Sequence, residues 1–505
     1  MSKLIRDLLK NAMNAPDKIA IKCGHQERTY SEFCNNISRL ATGFRNKGIC
    51  SGDCMGVFLP NCVEFVETLF AAASIGVAIA PLSPSLPAPA ILKAMESVNA
   101  RHFIGTPYSL MELEKGIDAN GALRLAIGNQ PGEGYTLWDN FLDNITSCNP
   151  IKDDNSFNNN ALIYTMTSGS TGTPKPIVLS QENKYLRAKV AADIYDITST
   201  DIILAATPLY HSLAERLVIL PLILGATSII LPRFSPEVWY NSIIDEKITF
   251  TIAVSSQLKK FAEIAEKSEI KEIKSLKCIV SSSALLDTQT RTKLLEILQC
   301  NFHECYGTSE IAIATNNKFD KIKGKINSVG QAIPGVNVRI VDENDQDVKE
   351  GQPGEIICQT PMLFSGYYQL PELTKNAIRG GWFHTGDIGY MDDEGFLYFL
   401  SRKKDIIITG GINVYPADVE SVILLYSDIA ACAAFSLPDE QLGEVVAVAV
   451  VSRSGTPINM RSLKFYCASN LADFQIPHHF FELKELPINS MGKIVKHKLT
   501  EMFSK

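Results

Sequence analysis

Short apolar runs and longer amphipathic stretches alternate through the first two thirds of the chain. The apolar runs have the length and composition of buried strands, and they lie at 54–59, 77–81, 202–206, 228–231, 250–254 and 278–280. The stretches 63–75, 182–194 and 288–298 have the spacing of helices. Strands that alternate with helices predict an α/β fold in which parallel sheets are covered on both faces.

The pattern changes near residue 337 and again near residue 402. Short strands and turns such as 338–341 and 355–358 predict a small β-rich subdomain over about 337–401. The basic segment 402–404 then precedes a stretch with its own strands and helices. We therefore expect a large N-terminal domain of several subdomains over 1–401, a linker at 402–404 and a small α+β C-terminal domain over 405–505.

Length and composition agree with more than one domain. The chain has 505 residues, of which 46% are hydrophobic and 20% are charged, and this is more than a single core usually organises. The apolar runs 66–80 and 217–232 are ended or broken by Pro81, Pro221 and Gly225, so neither provides the roughly 20 apolar residues of a membrane span. Charged residues in the N-terminal apolar pattern favour an amphipathic helix over a secretory signal. We expect a cytoplasmic protein without integral membrane association.

Charge and cysteine content exclude two further classes. The formal net charge is -7 at pH 7, so the sequence offers no general basic surface for nucleic acid. The 12 cysteines have neither CxxC pairs nor metal-ligand spacing. They are best interpreted as buried, reduced thiols.

A loop rich in glycine and hydroxyl side chains joins two apolar segments. It runs from Thr165 to Lys175 and reads Thr-Met-Thr-Ser-Gly-Ser-Thr-Gly-Thr-Pro-Lys. Glycine allows successive N–H groups to turn toward one anion, while hydroxyls and a lysine add donors and charge. The loop differs from a Walker A motif, because Lys175 is followed by proline and a predicted strand. This pattern predicts a phosphate-binding loop, although an ordinary surface turn has a similar composition.

Further short motifs follow the loop along the chain. They are Pro-Leu-Tyr-His at 208–211, Tyr-Gly-Thr-Ser-Glu at 306–310, Trp-Phe-His-Thr-Gly-Asp at 382–387, Ser-Arg-Lys-Lys-Asp at 401–405 with Gly-Gly-Ile-Asn-Val-Tyr-Pro at 410–416, and Pro-Ile-Asn-Ser-Met-Gly-Lys at 487–493. In order and approximate spacing this series resembles the adenylate-forming, AMP-binding superfamily. The pattern is closest to the acyl-CoA synthetases, and the resemblance covers nearly the whole chain.

The resemblance implies activation of a carboxylic acid in two steps. The acid first attacks the α-phosphorus of ATP, which gives an acyl-adenylate and pyrophosphate, and a thiol then displaces AMP. The expected cofactors are ATP, Mg²⁺ and coenzyme A, and the expected substrate is a fatty or aromatic acid. Both steps crowd negative charge, so the protein must supply oriented cations and donors.

The resemblance also implies a nucleotide site. Residues of the loop would cradle the β- and γ-phosphates: Thr167, Ser168, Gly169, Ser170, Thr171, Gly172 and Lys175. Glu310 would hold Mg²⁺, and Gly307 and Ser309 belong to the same turn, where the family usually has threonine in place of Ser309. Tyr306 would stack on adenine, whereas Asp387 and Arg402 would bind the ribose.

Catalytic roles beyond Glu310 follow from the same resemblance. Lys493 would reach the substrate carboxylate and the α-phosphate, and its acetylation is a hypothesis for control. Lys404 would be the pivot of a mobile C-terminal domain, although ordinary solvated charge is an alternative. Gly410 and Gly411 would line the phosphopantetheine tunnel, unless they form a simple turn between a strand at 406–408 and a helix at 417–425. His211 would gate the acyl pocket, with a core histidine as the alternative.

The acyl pocket would contain His211, Ser282, Ser283 and Ala284. The segment 281–286 reads Ser-Ser-Ser-Ala-Leu-Leu where the family usually has Ser-Gly-Gly-Ala-Pro-Leu, so we expect a narrower or more polar pocket for medium-chain, aryl or hydroxylated acids. No aspartate follows His211 to pair with an amino group, which disfavours amino acids. A stand-alone enzyme that loads an acyl carrier protein and an inactive nucleotide-binding protein stay open as alternatives, as do a monomer and a homodimer.

Overall fold

The computed structural model describes residues 2–113, 122–128, 134–146, 155–168, 174–267, 273–284, 286–319, 325–489 and 493–504. The strands are β1 Ile19–Cys23, β2 Gln26–Thr29, β3 Cys54–Phe58, β4 Ala78–Pro81, β5 His102–Gly105, β6 Arg124–Ala126, β7 Thr136–Leu137, β8 Ala161–Ser168, β9 Pro174–Ser180, β10 Ile202–Ala205, β11 Thr227–Ile230, β12 Phe250–Val254, β13 Cys278–Ser282, β14 Asn301–Tyr306, β15 Thr315–Phe319, β16 Gln331–Ala332, β17 Asn337–Val341, β18 Gly354–Gln359, β19 Ile378–Arg379, β20 Trp382–Met391, β21 Leu397–Arg402, β22 Ile407–Thr409, β23 Ile412–Val414, β24 Ile429–Asp439, β25 Gly443–Ser452 and β26 His479–Leu483. The helices are α1 Lys3–Asn14, α2 Tyr30–Asn46, α3 Val63–Ser74, α4 Ala88–Glu96, α5 Pro107–Leu113, α6 Trp138–Asp143, α7 Gln181–Ile194, α8 Ser212–Leu224, α9 Pro236–Asp245, α10 Ser255–Lys267, α11 Thr288–Ile297, α12 Pro371–Ala377, α13 Pro416–Ile423, α14 Met460–Asn470 and α15 Lys496–Phe503.

Two large sheets form the frame of the N-terminal part. One has the order β16-β15-β14-β13-β12-β10-β11-β1-β2, and its strands from β14 to β1 are parallel. The other has the order β7-β6-β5-β3-β4-β8-β9, and it is parallel except at the β9 edge. The predicted α/β class with parallel sheets is confirmed.

The main core lies between these two sheets. It combines apolar side chains of both sheets with those of α2, α3, α7 and α8. Every residue of α3 is buried, and its two glutamates are hydrogen-bonded there, since Glu64 accepts from Gln26 and Glu67 accepts from Arg28 and Asn36. Separate clusters cover the outer faces, with α9 to α11 on one sheet and α4 and α5 on the other. The apolar runs 66–80 and 217–232 are buried, as the sequence predicted. Within the described residues no helix combines the length and the apolar character that crossing a membrane requires.

Two smaller sheets follow, the first antiparallel and the second antiparallel except for the parallel pair β25–β26. Strands β17 to β21 form a five-stranded sheet, in agreement with the predicted β-rich subdomain. Strands β22 to β26 form another five-stranded sheet that packs with α13, α14 and α15 into two apolar clusters of its own. Lys259 on α10 reaches across to this last part, since its Nζ donates to the carbonyl oxygen of Ala430 at 2.8 Å.

Local sequence signals explain several element boundaries. Ser2 caps α1, and Thr29 with Glu32 forms a capping box at the start of α2. Gly225 ends α8 with a φ of 80°, a left-handed conformation that glycine adopts without strain. The predicted helices and strands are present with ends that differ by one or two residues, and the cysteines within the described residues are free thiols.

A buried ion pair joins α7 to α8 in the main core. The Lys184 ammonium donates to Glu215, and both side chains are almost completely buried. Burial lowers the pKa of Lys184 to about 8, although the charge of Glu215 opposes this shift. A buried pair of this kind fixes the relative position of its two helices, because either charge alone would be strongly disfavoured in the core.

We expect Glu215→Gln to destabilise the protein by about 3–5 kcal/mol, since it leaves the Lys184 ammonium buried without a counter-charge. Thermal unfolding followed by differential scanning fluorimetry measures the effect as a lower melting temperature. The double variant Lys184→Met with Glu215→Leu should recover much of the loss. Glu237→Gln, at an exposed position of α9, is the matched control. Equal melting temperatures for Glu215→Gln and Glu237→Gln would contradict this role.

Candidate functional site

The carboxyl edge of the nine-stranded sheet collects several of the sequence motifs. Strands β10, β12, β13 and β14 are parallel neighbours, so the segments that follow them emerge at one edge. His211 lies in the segment after β10, and Ser282 ends β13. Tyr306 ends β14 and leads into the turn that carries Glu310. Motifs that are distant in the sequence therefore share one edge, which is where open α/β sheets bind ligands.

Asp387 meets Tyr306 and Arg402 at this edge. The Tyr306 hydroxyl donates to Asp387 Oδ2 at 2.8 Å, and Arg402 is the direct partner of Asp387 in the β20–β21 pairing. Arg402 Nε lies 3.4 Å from Asp387 Oδ1, which is an ion-pair distance. The N–H bond of Arg402 Nε does not point at Oδ1 and makes no hydrogen bond with it. Asp387 Oδ1 is therefore buried without a hydrogen-bond donor from any described residue.

The buried carboxylate of Asp387 is suited to a ligand that carries hydrogen-bond donors. Burial raises the pKa of Asp387, while the charge of Arg402, the Tyr306 hydrogen bond and the charge of Lys493 lower it. A buried carboxylate oxygen without a donor is costly unless a ligand completes it. Asp387 Oδ1 is therefore well suited to accept a hydrogen bond from a ligand hydroxyl, as the resemblance implies for ribose.

Glu310 is held through both its side chain and its backbone. The Tyr367 hydroxyl donates to Glu310 Oε1 at 3.0 Å, and the amide of Phe364 donates to the Glu310 carbonyl oxygen at 2.7 Å. Both partners belong to the segment that follows β18. This segment also pairs with β9, since Ile177 and Tyr367 form an antiparallel bridge. The position of Glu310 is thus tied to the strand that follows the phosphate loop.

Arg187, which is buried in the core, is hydrogen-bonded to the turn that carries Glu310. Its guanidinium donates to the carbonyl oxygens of Ser309 at 2.9 Å, Glu310 at 2.7 Å and Met362 at 2.8 Å. Burial lowers the pKa of Arg187 to about 9, and the charge of Arg216 lowers it further, whereas Glu310 opposes the shift. Neither Arg187 nor Tyr367 lies in a predicted motif. The one feature of the sequence that could have indicated a role for Arg187 is its place among the apolar positions of the helix predicted at 182–194.

Gly307 is required by the same turn. A Cβ at this position would lie 1.7 Å from the carbonyl oxygen of Ala312, so a larger residue would push the turn apart. The amide of Ala314 donates to the carbonyl oxygen of Tyr306 at 2.8 Å, which closes the turn. Thr308, which the sequence motif left without a role, has a buried hydroxyl without a hydrogen-bond partner among the described residues.

The phosphate loop is described only at its two ends. Strands β8 and β9 pair antiparallel, with Thr167 opposite Lys175 and Ser168 opposite Pro174. The predicted second strand after Lys175 is therefore confirmed. The carbonyl oxygen of Pro176 accepts from the amide of Tyr368 at 2.9 Å, so the Lys175 end of the loop lies next to the segment that holds Glu310. The expectations for Gly169, Ser170, Thr171 and Gly172 fall outside the described residues.

Lys493 comes from the C-terminal part and lies over this site. Its backbone is bonded to Asn489, because Lys493 N donates to Asn489 Oδ1 at 3.0 Å and Asn489 N donates to the Lys493 carbonyl oxygen at 2.9 Å. Burial lowers the pKa of Lys493, and so does the charge of Arg402, while Asp387 and Glu310 raise it. Within the described residues no hydrogen bond or ion pair holds the ammonium group. The charges of Asp387 and Glu310 act on Lys493, so the three groups lie near one another.

His211 has the environment of a neutral ring. It precedes α8, its ring lies 4.6 Å from that of Tyr210, and burial lowers its pKa to about 4. Nε2 is buried without a hydrogen-bond partner from the described residues. The ring is therefore uncharged near neutral pH and offers one unused polar atom.

The segment from Ser281 to Ala284 preserves a glycine-like backbone. Ser283 has a φ of 80°, in the left-handed region, where the family pattern has glycine. Ser281 is fully buried with a hydroxyl that has no described partner, and Ser282 is half-buried. Ala284 is exposed, and its carbonyl oxygen accepts from the Ser255 hydroxyl. The serines thus add polar atoms at this edge, as the sequence predicted.

The linker and the glycine pair lie on the surface. Lys404 belongs to a 3₁₀ turn over Lys403–Asp405 and is exposed. Gly410 and Gly411 join β22 to β23 with positive φ angles of 54° and 80°, and a Cβ at Gly411 would have no neighbouring atom within 4 Å among the described residues. They form a hairpin turn between two strands, which agrees with the expected alternative of a simple turn. The short strand β23 separates this turn from α13.

The site provides few protein ligands for a metal ion. Within the described residues there is no cluster of three or more histidine, cysteine or carboxylate side chains that could hold one. Asp387 and Glu310 are the described carboxylates that act on Lys493, and one oxygen of Glu310 accepts from Tyr367. This donor set fits Mg²⁺, which often takes one carboxylate together with water and substrate phosphate oxygens.

Comparison with known proteins agrees with this geometry. The model of the AMP-binding enzyme family matches residues 8–368, and that of the AMP-binding enzyme C-terminal domain matches residues 418–493. The chain belongs to the AMP-binding enzyme family. The predicted resemblance is confirmed.

Curated relatives match this family member over almost its whole length. A 2-succinylbenzoate--CoA ligase of Geobacillus sp. (strain WCH70) is 28% identical over 98% of this chain and 96% of its own. A long-chain-fatty-acid--CoA ligase of Mycobacterium tuberculosis is 29% identical over 94% and 93%. The solved structure of o-succinylbenzoate CoA synthetase from Bacillus subtilis, in complex with its acyl-adenylate intermediate, has a TM-score of 0.86 with 26% identity and covers 98% of this chain and 97% of its own.

We expect Arg187→Met to weaken binding of ATP with Mg²⁺ by about 10- to 100-fold, because three carbonyl oxygens lose their donor and the Glu310 turn loosens. Isothermal titration calorimetry with a non-hydrolysable ATP analogue, with and without Mg²⁺, measures the change. Arg39→Met is the matched control, since Arg39 also donates to a backbone carbonyl, that of Leu142, on α6. If both variants bound the analogue as the unmodified protein does, Arg187 would have no part in the site.

Proposed function

We propose that this AMP-binding enzyme is an ATP-dependent acid–thiol ligase that converts a carboxylic acid to an acyl-adenylate and then to an acyl-CoA thioester. The observation that carries the proposal is the buried Asp387 carboxylate, held by Tyr306 and Arg402, with the Lys493 ammonium of the C-terminal part acting on it. Anion-binding groups from distant motifs meet at the place where the α-phosphate and the acid would react.

Each residue has a distinct role in the first step. An oxygen of the acid attacks the α-phosphorus, the bond from that phosphorus to the bridging oxygen breaks, and pyrophosphate leaves. Asp387 accepts the ribose hydroxyls, Arg402 lies beside it, and Tyr306 fixes the carboxylate and stacks on adenine. The Lys493 ammonium stabilises the charge that builds up between acid and α-phosphate. A charge pair at about 4 Å contributes roughly 4 kcal/mol at an effective dielectric constant near 20, which is close to a thousandfold in rate.

Mg²⁺ and the phosphate loop neutralise the leaving group. Glu310 would hold the ion, which when bound shields the negative charge of the phosphate oxygens. Residues 167–175, with Lys175 at the end next to the Glu310 segment, would cradle the β- and γ-phosphates. Arg187 holds the backbone of Glu310 through its carbonyl oxygen, and Tyr367 holds the Glu310 carboxylate.

The second step requires a thiol to reach the acyl carbon. Its sulfur forms the thioester bond, the bond from acyl carbon to the AMP oxygen breaks, and the thiol proton is released to water. Rotation of residues 405–505 about Lys404 would withdraw Lys493 and bring Gly410 and Gly411 to the cleft. The exposed 3₁₀ turn at Lys404 and the open surface around Gly411 support such a movement.

The acid is a fatty or aromatic acid. The relatives named above act on an aryl acid and on long-chain fatty acids, and the half-buried serines at 282 and 283 add polarity to the edge where His211 would gate the acyl pocket. Cytoplasmic location, a monomer or homodimer, and acetylation of Lys493 stay predictions.

A panel of fatty, aryl and amino acids tests the proposal. We expect ATP-dependent release of pyrophosphate with fatty or aryl acids, and formation of an acyl-CoA thioester when coenzyme A is present. Mass spectrometry of the product distinguishes free coenzyme A from a holo acyl carrier protein as acceptor. Release of pyrophosphate without any thioester would contradict the assignment as an acid–thiol ligase. The absence of pyrophosphate with every acid would also contradict the adenylation step.

We expect Lys493→Ala to reduce acyl-AMP formation by about a thousandfold while thiolysis of supplied acyl-AMP is largely retained, because only the first step uses the ammonium. Separate assays of the two half-reactions measure this. Lys498→Ala, which removes an exposed lysine of α15, is the matched control and should behave like the unmodified protein. Equal losses in both half-reactions would refute this division of roles.

A further inference from the structure

Strand β20 has a bulge at the point where it carries Asp387. Between the regular pairs of β18 with β20, three residues of β20 lie opposite Ile356 alone. They are Thr385, Gly386 and Asp387, and they are called the β20 bulge below. A bulge bends its strand and changes the direction of the side chains that it carries. The direction of the Asp387 carboxylate therefore depends on the contacts that hold this bulge in shape.

The Thr385 hydroxyl joins the two strands at the β20 bulge. It donates to the carbonyl oxygen of Ile356 at 2.7 Å and accepts from the amide of Asp387 at 3.0 Å. A side chain thus takes the place of strand-pairing hydrogen bonds that the bulge interrupts. Ile356 and Asp387 are both buried, and buried backbone groups need partners. Removal of this hydroxyl would leave an amide and a carbonyl oxygen of the bulge to find other partners.

Glu355 of β18 holds the neighbouring amide of the bulge. Its Oε1 accepts from the amide of Gly386 at 3.2 Å, and its Oε2 accepts from Nζ of Lys403 at 3.5 Å. The Glu355 side chain is 11% exposed, so the carboxylate is kept beside the bulge rather than in solvent. Gly386 has a φ of 69°, a left-handed conformation that glycine adopts at little cost. One carboxylate therefore joins the bulge to the segment that follows β21.

The direction of the Asp387 carboxylate matters because one of its two oxygens is already used. Oδ2 accepts from the Tyr306 hydroxyl at 2.8 Å, whereas Oδ1 is buried without a donor from any described residue. A hydrogen bond weakens steeply when donor, hydrogen and acceptor depart from a straight line. A change in the shape of the bulge would turn Oδ1 and weaken its bond to a ligand hydroxyl, although Asp387 itself would be unchanged.

We propose that Thr385 and Glu355 are positioning residues for the nucleotide, which hold the β20 bulge so that Asp387 Oδ1 points at the ribose hydroxyls of ATP. The inference rests on the proposed function, because that function assigns the ribose to Asp387. In this role both residues act through Asp387. Their effect on binding is therefore confined to nucleotides that carry ribose hydroxyls, which separates positioning from a general contribution to stability.

Two nucleotides that differ only in the ribose test this role. ATP and 2′,3′-dideoxy-ATP share the base and the triphosphate, and isothermal titration calorimetry with Mg²⁺ and without an acid gives the Kd of each. The unmodified protein should bind ATP about 10- to 100-fold more tightly, as expected for hydrogen bonds to a charged acceptor. Thr385→Val and Glu355→Ala should each reduce this ratio by about five- to tenfold through weaker binding of ATP, with dideoxy-ATP changed by no more than about twofold.

Conservative variants separate these hydrogen bonds from other effects. Thr385→Ser keeps the hydroxyl, and Glu355→Gln keeps an oxygen that can accept from the Gly386 amide, so both should retain most of the ratio. Thr227→Val is the matched control, because the Thr227 hydroxyl also donates to a backbone carbonyl, that of Ile19, in the nine-stranded sheet. This control should keep the ratio of the unmodified protein.

The outcomes distinguish the inference from the proposed function. The same ratio in Thr385→Val and Glu355→Ala as in the unmodified protein, or equal losses for both nucleotides, would overturn the inference while the ligase function stands. Equal binding of both nucleotides by the unmodified protein would show instead that Asp387 does not bind the ribose. If Thr385→Val and Glu355→Ala fail to fold, Gly386→Ala decides, because it strains the φ of the bulge without removing either side chain and should lower the same ratio.

Discussion

The site depends on the way adjacent parallel strands place their carboxyl ends at a single edge. Strands β10, β13 and β14 lie close in one sheet, so segments separated by about a hundred residues in the sequence emerge side by side. The β-rich subdomain adds Asp387 to this edge, and the C-terminal part adds Lys493. A reaction between two anions needs this arrangement, because no single loop could surround a triphosphate and a carboxylate with enough donors.

Buried polar groups, in addition to apolar packing, hold the segments at the carboxyl edge of the nine-stranded sheet in place. Arg187 is bonded to carbonyl oxygens of two separate segments, and the Lys184–Glu215 pair joins the two helices behind the site. Burying a charge costs free energy, and the contribution of these charged groups is to fix the relative positions of the segments that they join. Arg187 fixes the turn that carries Glu310 through its backbone, so the Glu310 carboxylate stays free of this arginine.

Much of the fold could be predicted from the sequence, because periodicity and motif order are local signals. The strand at 250–254 and the helices near 63–75 and 182–194 were recognisable from their apolar spacing. The motifs pointed to Tyr306, Glu310, Asp387 and Lys493, which the structure brings together. Arg187 and Tyr367 could not be predicted, since their importance depends on tertiary neighbours. Periodicity alone also missed the short strand β23, which separates the glycine turn from the helix that follows it.

The contact between Lys259 and the carbonyl oxygen of Ala430 has a consequence for the energy landscape of the chain. A single, partly exposed hydrogen bond contributes about 0.5–1.5 kcal/mol, so it can favour one arrangement without trapping the molecule in it. If residues 405–505 move as proposed, this hydrogen bond breaks in every cycle, and its small free energy leaves the choice of arrangement to the ligand in the site.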